Sequence, residues 1–185
     1  MSTDEAMRKA MQEQALRLQK EFDNLEALRS WVKPVYDARA KRAEVHFDSP
    51  FGVCRFWWDG SFWIIDQPEV DSIYAKAGGL QKAMRQVWGE IEERLISREM
   101  QTQAARLRDE FGAMEEIVSW ATPIYDREAK RPELRFDSPV GVCRTWWEKT
   151  LWKVRLPDGS ETPVQPGKLR EKLINVRKFL RKGVL

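Results

Sequence analysis

The sequence predicts an α+β protein: a tandem repeat of two helix-strand-strand-strand-helix modules, each a three-stranded antiparallel sheet packed on helices. Three observations predict it. QALRLQKEF at Gln14 to Phe22 returns as QAARLRDEF at Gln103 to Phe111, and AKRAEVHFDSPFGVCRFWW from Ala40 returns as AKRPELRFDSPVGVCRTWW from Ala129, both at an offset of 89. Apolar residues recur at three- and four-residue steps near both ends of each copy, the period of a helix with one buried face. Between them they recur at two-residue steps, the period of a strand. The first module is set at 8–96 and the second at 97–185.

Each copy opens with a helical stripe, Met7, Met11, Leu18, Phe22, Leu25, Leu28 and Trp31 in the first and Leu107, Phe111, Met114, Ile117 and Trp120 in the second. Pro34 and Pro123 close these helices, because proline lacks a donor and clashes with the preceding turn. Tyr36 to Lys41 and Tyr125 to Lys130 are then read as connectors. Three strands follow: Glu44 to Phe47, Val53 to Trp58 and Phe62 to Ile65, matched by Glu133 to Phe136, Val142 to Trp147 and Leu151 to Val154. Asp48, Ser49, Pro50 and Gly52 supply turn chemistry, and Asp59 with Gly60 a tight hairpin. Asp37 and Asp48 recur in both copies and are read as turn formers rather than as a catalytic pair.

A second helix ends each module, with Leu80, Met84, Val87, Ile91 and Leu95 matched by Leu169, Leu173, Val176, Leu180 and Val184. No proline separates Leu80 from Trp120, so the modules are joined either by one helix of about 60 Å or by a hinged pair, with the polar stretch Ser97 to Gln103 as the expected break.

At 185 residues, 42% of them apolar and nine of them Trp, the chain can build real cores. No apolar run approaches the roughly 20 residues of a membrane helix, and no signal core leads the chain, so a cytoplasmic protein without a membrane partner is expected. Cys54 and Cys143 occupy equivalent positions and are read as small buried thiols. Net charge is only +3, but Lys and Arg against Asp and Glu run 14 to 16 over residues 1–96 and 18 to 13 over 97–185. Most of the excess lies at Lys168, Arg170, Lys172, Arg177, Lys178, Arg181 and Lys182, which face the single acid Glu171. Such a helix suits nucleic acid, an acidic protein or an anionic surface; a solvated face explains it about equally well.

Alternation separates the two sheet faces. Val45, Phe47, Cys54, Phe56, Trp58, Trp63 and Ile65 mark the core side. The other side carries Glu44, His46, Val53, Arg55, Trp57, Phe62 and Ile64, and in the second copy Glu133, Arg135, Val142, Arg144, Trp146, Leu151 and Lys153. A recurring Glu, Arg and Trp on an open face can stack bases and hold phosphate, or anchor a protein. Lys41 and Arg42, with Lys130 and Arg131, could add phosphate contacts. The structural alternative is a Glu44–Arg55 salt bridge beside a covering Trp57, or packing of the two faces together.

The order helix, three strands, helix is similar to that of double-stranded RNA-binding domains, in which tandem pairs are common. That resemblance implies a basic start to the second helix. Lys168, Arg170 and Lys172 of the second copy fit this better than Lys76, Lys82 and Arg85 around Ala77, Gly78 and Gly79 of the first. The likeness is one of layout alone.

An enzyme has little support. The one histidine, His46, is replaced by Arg135 in the second copy, and no metal-ligand spacing, phosphate-cradling glycine loop or nucleophile motif occurs. No metal and no cofactor are expected. The expectation is a non-enzymatic binding protein whose basic second module and Arg/Trp faces hold nucleic acid; the alternative is a protein adaptor or inhibitor using those faces. The residues expected to bind are Arg55, Trp57, Lys130, Arg131, Arg135, Arg144, Trp146, Lys153, Lys168, Arg170, Lys172, Arg177 and Lys178.

Overall fold

Alternation and helical periodicity resolve, in a computed structural model that describes residues 3–22 and 24–181, into an α+β chain of five helices and two antiparallel five-stranded sheets. The chain divides into two compact units, Met1–Glu93 and Arg94–Leu185. Lys182 and Val184, assigned above to the last helix, lie outside the described residues.

The first unit comprises α1 (Thr3–Glu21), α2 (Leu25–Arg29), β1 (Lys33–Asp37), β2 (Arg42–Ser49), β3 (Gly52–Trp58), β4 (Trp63–Asp66), β5 (Ile73–Ala75) and the start of α3 (Leu80–Phe111). Its sheet is a simple meander in sequence order. The second unit takes the rest of α3, α4 (Met114–Val118), β6 (Thr122–Asp126), β7 (Arg131–Ser138), β8 (Gly141–Glu148), β9 (Leu151–Arg155), β10 (Glu161–Val164) and α5 (Leu169–Arg181), with its strands again adjacent in sequence order.

The sheets therefore have five strands, not three. The segments read as connectors after Pro34 and Pro123 begin as edge strands, with Pro34 opposite Val45 and Pro123 opposite Leu134. An edge strand has only one neighbour, so proline can sit there without breaking a two-sided ladder. The outer strands β5 and β10 escaped notice because one is three residues long and the other contains Pro163. With five strands, the layout shared with double-stranded RNA-binding domains no longer holds.

The opening stripe is also not one helix. The chain restarts at Asn24, whose side chain accepts from the Glu26 and Ala27 amides at 3.0 and 3.1 Å and caps α2. α3 continues through Ser97 to Gln103, where the hinged alternative would have broken, and stops at Phe111 because Gly112 takes the left-handed conformation (φ +81°) that ends helices.

In the first core Leu18, Val45, Phe56, Trp63, Ile65, Leu80 and Val87 are buried together. In the second the equivalents Leu107, Leu134, Trp152, Val154, Leu169 and Val176 do the same. Trp58 and Trp147 are half-buried at the margins of these cores rather than inside them. Cys54 and Cys143 are both buried.

One carboxylate ties helix to sheet in each unit. Glu21 accepts from Trp63 Nε1 at 2.9 Å, from the Gly78 amide at 2.7 Å and from the Leu80 amide at 3.1 Å. Glu110 accepts from Trp152 Nε1 at 3.0 Å, the Gly167 amide at 2.7 Å and the Leu169 amide at 3.0 Å. An anion at the start of α3 or α5 satisfies otherwise orphaned amides and complements the helix dipole.

Candidate functional site

The second copy of the sheet motif differs from the first mainly in charge, and the ladder register turns that difference into geometry. His46 lies opposite Arg55, which lies opposite Asp66, across β2, β3 and β4. The corresponding line across β7, β8 and β9 is Arg135, Arg144 and Arg155. Three guanidinium side chains thus stand abreast on one face, where like charges directly opposite each other destabilise a sheet.

Carboxylates offset part of this cost. Arg135 pairs with Asp126 at 2.6 Å and with Glu133 at 3.2 Å, while Arg144 reaches the same two at 3.5 and 3.9 Å. Arg131 pairs with Glu133 at 3.0 Å, and Arg155 with Glu161. Four arginines are met by three carboxylates, and the side chains of Arg135, Arg144 and Arg155 stay 31, 38 and 40% exposed. Asp126 also closes its own turn, accepting from the Ala129 and Glu128 amides at 2.9 and 3.0 Å. Those amides, the Ala129 one foremost, hold its carboxyl below the usual range, and Arg135 and Arg144 add to the effect.

In the first unit the balance is reversed, with Arg42 and Arg55 facing Asp37, Glu44 and Asp66. Arg55 is bound to Asp66 at 2.6 Å, a bond that raises its pKa, and the expected Glu44–Arg55 bridge is not the one formed. Glu44, 1% exposed, is instead held by Arg42 and His46, each at 2.8 Å. Asp37 accepts from the Arg39 and Ala40 amides at 2.8 and 3.0 Å, as its turn-forming reading requires.

The face is not open around its tryptophans. Arg42 lies 3.7 Å over the Trp57 ring, and Arg131 and Arg155 lie 3.8 and 5.2 Å from the Trp146 ring. Trp146 is 2% exposed, so there the guanidiniums rather than the indole meet solvent, while Trp57 is half-buried. Lys153 sits 3.8 Å from Glu148. Lys41 and Lys130 are exposed at turn positions with φ +52° and +50°.

On α5 the apolar line Leu169, Leu173, Val176 and Leu180 is buried, which turns the basic residues outward. Arg170 is bound to Glu116 at 2.8 Å. Lys168 and Lys178 are exposed and Lys172 half-exposed, with no ion pair among the described residues. Arg177 lies 4.8 Å from the Trp120 ring centroid. Arg155, the third member of the arginine line, was missed in the sequence; its signal was the alternation of Leu151 to Arg155, which puts it on the face of Lys153. Glu21 and Glu110 were visible only as a repeated acid before a repeated Phe.

Among the described residues no group of three or more His, Cys, Asp and Glu side chains is placed to hold a metal ion, and no helix is long and apolar enough to cross a membrane. Comparison with models of known protein families, with curated proteins and with solved structures finds no match.

Proposed function

We propose that the chain is a non-enzymatic, nucleic-acid-binding protein, a duplicated α+β module whose second copy carries the binding surface. The observation that supports it is the line Arg135–Arg144–Arg155, which together with Arg131 sets four guanidiniums against three carboxylates, in a unit whose α5 turns basic residues outward. A sheet that bears such a line at a cost in stability gains something elsewhere, and a polyanion provides it: each phosphate neutralised releases counterions. The first copy, with His46 and Asp66 at the ends of the same line, serves mainly as a partner module.

The test exploits the duplication. Arg135→His with Arg155→Asp installs the first unit's residues at matching positions, so a folded variant is expected. Its binding to labelled DNA and RNA oligonucleotides, followed by fluorescence anisotropy, should weaken by about tenfold or more and lose part of its salt dependence. Unchanged binding sinks the assignment of this surface.

A second reading, a protein adaptor or inhibitor, draws support from Trp31 and Trp88 in the first unit, each 39% exposed and 5.7 Å apart. Tryptophan is a favoured interface anchor. Binding of that kind would tolerate salt, which separates the two readings.

A further inference from the structure

The same duplication marks a second place where the copies have diverged. In the first unit Trp31, Phe47 and Trp88 pack on one another with ring centroids 5.3 to 5.7 Å apart. At the positions 89 residues on, Trp120 and Phe136 keep their aromatic character, at 5.4 Å, while Trp88 becomes Arg177 and Glu92 becomes Arg181. A cleft of about 400 Å3 lies there, lined by Trp120, Phe136, Asp137, Ser138, Arg177 and Arg181. That volume is within the range of small-ligand sites.

We propose that this cleft binds one phosphodiester group of a single-stranded nucleic acid, with Arg177 and Arg181 on the phosphate and Trp120 beside the adjoining base. The identity of the ligand rests on the nucleic-acid reading above. The charge arrangement is the first argument. Arg177 and Arg181 stand one helical turn apart, a spacing at which like charges repel, and neither has an ion pair among the described residues. Burial, and then Arg181, push the pKa of Arg177 down, so a bound anion would relieve both effects.

The choice of ligand follows from the other lining groups. Asp137 follows Phe136 on β7, so its carboxylate leaves from the opposite sheet face, and the cleft's charge comes from Arg177 and Arg181, which a phosphate group of the strand neutralises. Ser138 already donates its hydroxyl to the Gly141 carbonyl at 2.7 Å, so the arginines are the donors left for the phosphate. An aromatic ring beside guanidiniums is the arrangement that stacks unpaired bases without sequence preference, and only a single strand offers unpaired bases.

The full chain would be titrated with a labelled thymidine oligonucleotide and with a duplex of equal length over a salt series. Arg177→Gln with Arg181→Gln is compared with Lys76→Gln and Lys82→Gln, which removes the same charge from exposed sites of the first unit. The cleft variant should bind the single strand about tenfold more weakly, and its slope of log affinity against log salt should fall by about 0.7, the value for one phosphate. The charge control should keep the wild-type slope. If the Gln variant does not fold, Arg177→Trp with Arg181→Glu, the first unit's own residues, takes its place.

A cleft variant that behaves like the charge control while wild type binds overturns the inference and leaves the nucleic-acid reading intact. Equal weakening on the duplex overturns the single-strand assignment. Wild type that binds neither probe at low salt overturns the nucleic-acid reading, and the inference with it.

Discussion

Glu110 shows how much one side chain can organise. Its carboxylate accepts from Trp152 Nε1 and from two amides that open α5, so Glu110→Ala removes three charge-assisted bonds and leaves their donors unpaired. The expected loss is about 2 kcal/mol, read from denaturant unfolding; an unchanged midpoint would show that water replaces the carboxylate without cost. Trp152→Ala, at a fully buried ring, should cost about 3–5 kcal/mol, and the half-buried Trp147 distinctly less. Cys143 gives a pH prediction. Burial pushes its thiol up to about 11, so between its ordinary 9.0 and that value the unfolded chain ionises while the folded chain keeps its proton. The folded state then binds more protons, and stability should fall as pH rises through this window; Cys143→Ala should lessen the fall, and an equal fall in the variant would refute the assignment. Alternation alone placed Cys143 and Val154 in the core, but it could not foresee that Trp146 would be roofed by Arg131. Long cationic side chains fold back over aromatic rings, and a period-two pattern records only which side a residue leaves from.

At the scale of the elements, the central strands were legible because their alternation is strong, whereas the edge strands were not. Pro34, Pro123 and Pro163 are ordinary evidence against a strand, and only knowledge of which strand lies at the edge removes it. The end of α3 was similarly obscured: Gly112 is tolerated within helical patterns, and its positive φ marks the stop. Gly141 carries a sharper constraint. Its φ is +131°, and an added Cβ would meet Pro157 Cβ at 3.0 Å. Gly141→Ala should therefore cost about 1–3 kcal/mol through strain and a displaced β8–β9 region, measurable by thermal melting; a neutral result would mean the turn relaxes freely. The arginine line across β7, β8 and β9 was half legible, since Arg135 and Arg144 stand on one face in the sequence pattern, but their alignment with Arg155 required the register.

For the molecule as a whole, the correspondence of residues 89 apart in the sequence supplies an internal comparison that composition cannot. Two units of the same element order differ at the ends of one cross-strand line and on one helix turn, and both differences add cations to the second unit. A net charge of +3 concealed this, because paired carboxylates and an acid-rich first half offset the excess. The most direct measurement is the affinity of the full chain for a labelled oligonucleotide at about 50 and 200 mM salt. The account predicts that binding weakens more than about tenfold between them, and that Arg135→His with Arg155→Asp weakens it at the lower salt. Absence of binding at the lower salt, or binding indifferent to salt, would contradict a phosphate-binding second unit.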